Sequence, residues 1–225
     1  RREAASRGIP VFGEADLAVA AWPGPVVLVT GTNGKTSVCR FLADVLAGAG
    51  KPVVVAGNIG APASAVGEVA PGTWLVHETS SFQAFDWHLA RADHMIWTNF
   101  ADDHLDWHRN PRDYFAAKAR LLAMVKGEGA AYAGTSVVAA ARSFGACLPD
   151  NLRVIAEDEA AAPAGSALAS PPQTENFSLV ARLARDLGVP PGRIGEAAAS
   201  FRPDPARREE LGEVGGVRVI NDSKA

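Results

Sequence analysis

Four short apolar runs, at residues 26–29, 53–55, 74–76 and 95–98, punctuate the first part of the chain, and each leads straight into polar or glycine-rich residues. After the first run, Val38, Phe41, Leu42, Val45 and Leu46 recur at helical spacing, and Gly48 and Gly50 close that pattern. Unbroken apolar runs fit strands buried on both faces. Their alternation with helical segments predicts an α/β fold, a mostly parallel sheet flanked by helices. In such sheets ligands sit at the carboxyl ends of the strands. The polar clusters that end the four runs are therefore expected on one rim.

The second half is less regular. Residues 112–125 read as a helix whose buried side carries Tyr114, Phe115, Ala119, Leu122 and Val125. Residues 130–133 and 153–155 are weak strand candidates, and 156–173, rich in Ala, Pro, Gly and Ser, read as a loop or linker. Two helical patterns follow, at about 176–187 and 192–201. The run Phe201-Arg202-Pro203-Asp204-Pro205 breaks the second. Val214-Gly215-Gly216-Val217 predicts a hairpin turn, and Asn221-Asp222-Ser223-Lys224 ends the strand after it. Before the first core strand, residues 9–12 could form a short strand, and Trp22-Pro23-Gly24-Pro25 reads as a linker.

Composition narrows the class. The 225 residues suffice for one large domain or one and a half, and a net charge of −3 offers no basic field for nucleic acid. No apolar run approaches the ~18 residues of a membrane span, and no signal peptide is evident. Cys39 and Cys147 form no metal or disulfide spacing, so a cytoplasmic setting is expected. The chain starts without Met and stops after a polar cluster, which reads as a fragment with both ends missing.

Chemistry concentrates where the first strand ends. Val-Val-Leu-Val-Thr-Gly-Thr-Asn-Gly-Lys-Thr, residues 26–36, places a strand, a glycine-bounded loop and a helix start in succession. That order makes an anion cradle from loop N–H groups and the helix dipole. Lys35 adds a charge, and the Thr36 hydroxyl can ligate Mg²⁺. The spacing is a variant of the generic phosphate loop, since Val29 stands where its first glycine would be. Glu78, at the end of the third strand, can hold an Mg²⁺ that bridges nucleotide phosphates, although a lone Glu is as readily solvated surface. Ser80, Ser81 and Gln83 offer hydroxyl and amide groups to a polar substrate. Asp102, Asp103, His104 and Asp106 form a second cluster, while His77, His88, His94 and His108 read as structural. Lys118 is by composition a surface lysine. A bare ammonium would repel a metal-rich site, whereas a carbamate formed on the neutral amine would be an anionic ligand.

Gly-Thr-Asn-Gly-Lys-Thr at 31–36, Gly57-Asn58-Ile59-Gly60, Glu78 through Gln83, Asp103-His104-Leu105-Asp106, Tyr114 to Lys118 and Asn221 through Ala225 together resemble the Mur ligase family of peptidoglycan synthesis. Within the family the chain is most similar to the branch that joins D-glutamate to a UDP-muramoyl-alanine precursor. Sister ligases, folylpolyglutamate-type ligases and a nucleotide-binding module without ligase chemistry are the alternatives. The resemblance implies residues 1–24 as the tail of a UDP-binding domain, 25–204 as a central ATP-binding domain and 205–225 as the start of a C-terminal domain. It implies a monomer using ATP and two Mg²⁺ sites, which makes an acyl phosphate that the amine of D-glutamate then attacks. Carried over, Lys35, His104 and Lys118 are catalytic. Gly31, Thr32, Asn33, Gly34, Lys35, Thr36, Ser37, Asn176, Arg207, Asp222 and Lys224 bind ATP. Asn58, Ser80 and Gln83 face the muramoyl substrate. Thr36, Glu78, His104 and a carbamylated Lys118 serve the metals. At the adenine end the chain departs from the family pattern, with Glu175 before Asn176 and Leu179 three residues on.

Overall fold

The computed structural model describes residues 2–206 and 209–223. Two short helices open the chain, α1 (Arg2–Ser6) and α2 (Glu14–Ala20). The expected strand at 9–12 does not form; the stretch pairs with no strand and is exposed. Then come β1 (Val26–Thr30), α3 (Lys35–Gly48), β2 (Val53–Gly57), β3 (Trp74–Glu78), the short α4 (Ser81–Phe85) and β4 (Ala92–Trp97). After them follow α5 (Pro111–Ala119), β5 (Val125–Gly134), α6 (Thr135–Phe144), β6 (Leu152–Ile155), α7 (Gln173–Asp186) and α8 (Pro191–Ser200). The helix expected to run to 125 stops at Ala119, and a 3₁₀ segment, Arg120–Met124, carries the chain into β5.

The six strands form one sheet in the order β2-β3-β1-β4-β5-β6, and every pairing is parallel. From central β1 the chain moves to β2 and β3 on one side, then crosses to β4, β5 and β6 on the other. The crevice at the carboxyl ends of β1 and β4 is thus the topological switch point. Alternate residues of β1 feed two cores. Val27 and Val29 join Phe41, Leu42, Phe177 and Leu183 of α3 and α7. Val26 and Leu28 join Trp87, Met95, Phe115 and Val137 on the opposite face. All five residues of β1 are buried, which is why its sequence shows no polar alternation.

Asp16, on α2, is 1% exposed and accepts backbone N–H bonds from His88, Leu89 and Ala90, at 2.8–3.1 Å. The second sheet is an antiparallel hairpin, β7 (Glu209–Val214) and β8 (Val217–Asn221), whose residues are mostly exposed. In the segment before it, Asp204 pairs with Arg40 of α3 at 2.8 Å. Among the described residues no helix is long and apolar enough to cross a membrane.

Candidate nucleotide site

The loop between β1 and α3 is held by its neighbours after β4. A Cβ on Gly31 would strike the Thr98 hydroxyl, so only glycine permits that approach. Thr98 Oγ1 donates to the Asn33 carbonyl at 2.6 Å, and Asn99 Oδ1 accepts from the Asn33 N–H at 2.9 Å. Gly34, with φ +78°, caps α3 in the left-handed region, and a Cβ there would meet the Asn176 amide at 2.6 Å. Thr98 and Asn99 thus brace the loop. Their place directly after an apolar run was visible in the sequence, but their role was not.

Lys35 opens α3, and its Nζ donates to the Thr32 carbonyl at 2.7 Å. Thr36 and Ser37 follow in the first turn and are buried. Thr36 Oγ1 donates to Glu78 Oε2 at 2.8 Å, and Asn58 Nδ2 donates to Glu78 Oε1 at 3.0 Å. Glu78 is 2% exposed, and two side-chain donors reach its carboxyl in the interior. Thr36 at the start of α3, Glu78 at the end of β3 and Asn58 just after β2 therefore share one contact network. The donor set is hard oxygen, which suits Mg²⁺. Among the described residues no three His, Cys, Asp or Glu side chains gather into a metal cage.

Lys118 lies beneath the loop, not on the surface as its composition suggested. It is 1% exposed; Nζ donates to the Gly31 carbonyl at 2.9 Å and lies 4.7 Å from the centre of the Tyr114 ring. Burial, reinforced by repulsion from Lys35, brings its pKa down to about 7, against the pull of Asp103 and Glu78. The neutral amine is thus accessible at physiological pH. Tyr114 also bonds to Thr32 across 3.3 Å, and burial pushes its phenol up to about 12.

His104 sits above Tyr114, ring centroids 5.9 Å apart, and Nε2 lies 3.6 Å from Asp103. Its φ of +53° puts a non-glycine residue in the left-handed region, a strain of about 1 kcal/mol or more that concentrates at functional sites. Of the other histidines, His108 is buried and shares a 2.9 Å hydrogen bond with Ser81, while His77 is fully buried against Thr79 and its pKa falls to about 4 through desolvation.

Three expected contact residues have other local work. Ser80 and Gln83 form a reciprocal capping box at the start of α4, at 2.9 and 3.2 Å. The Ser-x-x-Gln spacing carries that signal. Asn176 is 3% exposed, lies against Gly34 and donates to Gln173 Oε1 at 2.8 Å. Asp222 follows β8 and is exposed, while Arg207 and Lys224 lie outside the described residues. The structure therefore brings Lys35, Thr36, Glu78, Asn58, Lys118 and His104 to one rim.

Comparison with known proteins agrees with this geometry. The Mur ligase middle domain matches residues 29–157. The chain is 35% identical, over 99% of its length and 52% of the relative's, to the UDP-N-acetylmuramoylalanine–D-glutamate ligase of Frankia casuarinae. It is 38% identical, over 99% and 50%, to the protein of that name from Mycolicibacterium smegmatis. The chain thus spans about half the length of the curated relatives it matches. In fold it is similar to the MurF ligase of Thermotoga maritima in complex with ADP, with a TM-score of 0.65, 19% identity and coverage of 92% of this chain and 55% of that one. With its parallel sheet, glycine-bounded loop and middle-domain match, the chain belongs to the Mur ligase family.

Proposed function

We propose that this chain is the nucleotide-handling part of an ATP-dependent ligase that joins D-glutamate to UDP-N-acetylmuramoyl-L-alanine through an acyl phosphate. The observation that carries it is the contact of Thr36, at the start of the loop helix, with buried Glu78, beside Lys35 and above Lys118. A carboxylate at neutral pH is a poor electrophile, and phosphorylation gives it a leaving group. Bringing it to ATP means bringing two anions together.

Lys35 supplies charge for the terminal phosphates, and the loop N–H groups and the α3 dipole add to it. Thr36 and Glu78 would hold Mg²⁺, which when bound offsets negative charge on the transferring phosphoryl group. Lys118, in its neutral form, would take up CO₂ as a carbamate, and His104 would support the same side of the site. Asn58 holds Glu78 from the side of β2, where the carboxylate substrate would enter. Domain closure would bring Arg207, Asp222 and Lys224 to the nucleotide.

The test is phosphate release by the full-length protein with ATP, UDP-N-acetylmuramoyl-L-alanine and D-glutamate, omitting one at a time. Release that needs all three is expected. Release with another amino acid in place of D-glutamate would overturn the acceptor assignment, and no release with any acceptor would overturn the ligase.

A further inference from the structure

The segment that leaves α8 is tied down residue by residue. Phe201 is buried and packs edge-on against Phe41 of α3, ring centroids 5.7 Å apart. Arg202 turns its guanidinium back onto the carbonyls of Ala199 and Phe201, at 3.2 and 2.9 Å. Pro203 and Pro205 fix their own φ and carry no N–H. Between them Asp204 Oδ1 meets Arg40 Nε of α3 at 2.8 Å. Just past Pro205 the partners change. The Ala206 N–H donates to Glu209 Oε2 at 2.9 Å, and Asn221 Nδ2 donates to the same oxygen at 3.3 Å, so Ala206 is bonded to the hairpin. Its φ of +63° is left-handed, a strained backbone for a residue other than glycine. These bonds run to α3 and α8 on one side of Pro205 and to β7 and β8 on the other. The helix that receives Asp204 is the one that opens with Lys35 and Thr36. Arg40 lies about 6 Å farther along its axis than Thr36.

We propose that Arg40 and Asp204 are positioning residues: their ion pair pins the segment after α8 to the phosphate-loop helix, and the hairpin side swings about Pro205 and Ala206 from that fixed point. The inference rests on the ligase reading above and adds where the moving part is anchored. The side chains of the pair are 48% and 25% exposed, so it contributes little to the stability of the whole fold. The same small free energy acts in full on an equilibrium between two placements of the hairpin, where a few-fold shift in population is a few-fold shift in productive closure. Asp44, one turn farther along α3, is a second carboxylate on which the Arg40 charge acts, and both residues line a cavity of about 500 Å³ with Phe201 and Arg202. Asp44 therefore serves as the control for a role of Arg40 confined to its own helix.

Hydrogen–deuterium exchange of the full-length protein, read by mass spectrometry over residues 202–206, tests the pin without relying on turnover. Arg40→Gln and Asp204→Asn are each expected to speed exchange there about two- to fivefold, the scale of a partly exposed ion pair. The double variant is expected to go no further than either single one. Turnover should fall by the same factor in all three, with the KM for ATP and the melting temperature nearly unchanged. Asp44→Asn is expected to leave exchange and turnover as in wild type. Exchange unmoved by the two single variants, or effects that multiply in the double variant, would overturn the pin. So would Asp44→Asn if it reproduced Arg40→Gln. Faster exchange at the wild-type turnover rate would overturn the positioning role. Faster exchange in a protein that releases no phosphate with any acceptor would overturn the ligase reading and leave the pin standing.

Discussion

The two sides of the phosphate loop treat their polar side chains differently. Toward β3 and β2 the groups satisfy each other: Thr36 and Asn58 donate to Glu78, and Ser80 and Gln83 cap α4 together. Toward β5 and β6, no donor among the described residues reaches the half-buried Glu175, and the charge of Glu157 acts on it. A side whose donors and acceptors match is rigid before any ligand arrives. On the other side the half-buried carboxyl of Glu175 is left to solvent. The difference teaches that position on the rim alone does not make a residue a ligand contact.

The largest effect that could break this picture is at Lys35. Lys35→Ala in the full-length protein is expected to lower phosphoryl transfer by about 10³-fold or more while far-UV circular dichroism stays the same. Turnover at the wild-type rate would remove the loop from the chemistry.

Lys118 should show function and stability in opposition. Lys118→Ala is expected to reduce turnover on the order of 10²-fold, with partial rescue by a short carboxylate in solution. Lys118→Met should lose activity too, yet melt at a higher temperature at neutral pH. The sign follows from linkage. The folded pKa, about 7, lies below the ordinary 10.5, so the folded state binds the proton less well than the unfolded state. That penalty is complete below pH 7, shrinks as pH rises and is gone above 10.5. The gain in melting temperature should therefore be greatest in acid and vanish in alkali. A gain independent of pH would mean that packing, not charge, is responsible.

A smaller effect is expected at Gly34, whose φ of +78° strains any other residue and whose Cβ would meet Asn176. Gly34→Ala should cost about 1–2 kcal/mol locally and weaken nucleotide binding about tenfold, measured by calorimetry. Unchanged affinity would mean that the loop reshapes when the nucleotide arrives. The smallest is Ser80→Ala, expected to lower stability by about 1 kcal/mol through the lost cap. The KM for the carboxylate substrate separates the two roles of this residue. An unchanged KM leaves Ser80 as a cap, while a large rise would make it a substrate contact as well.

Much of the sheet could be read from the chain because residues such as Val27, Leu75, Val76 and Ile96 lie on strands buried on both faces, which leaves unbroken apolar runs. Strand β5 was faint because Gly127, Gly129 and a run of alanines carry little strand preference, although Tyr132 and Ala133 are fully buried. The helices α4 and α6 were missed, the first being one capped turn and the second small and alanine-rich. At the site, Lys35 and Thr36 announce themselves because they open a helix just after a strand and a glycine-bounded loop, and Glu78 because it ends a strand. The burial of Lys118 depends on α5 passing under the loop, and the strained backbone of His104 on a turn with no glycine to mark it. Long-range geometry of that kind leaves no local trace.

The carboxylate of Asp16 has a practical consequence for anyone trimming the protein. A boundary drawn just before β1 looks clean, because Trp22-Pro23-Gly24-Pro25 has the composition of a dispensable spacer. Yet such a cut would strip the acceptor from three consecutive amides that lead the chain into β4. A piece that keeps this contact therefore begins ahead of α2, with a segment that contributes no strand to the sheet.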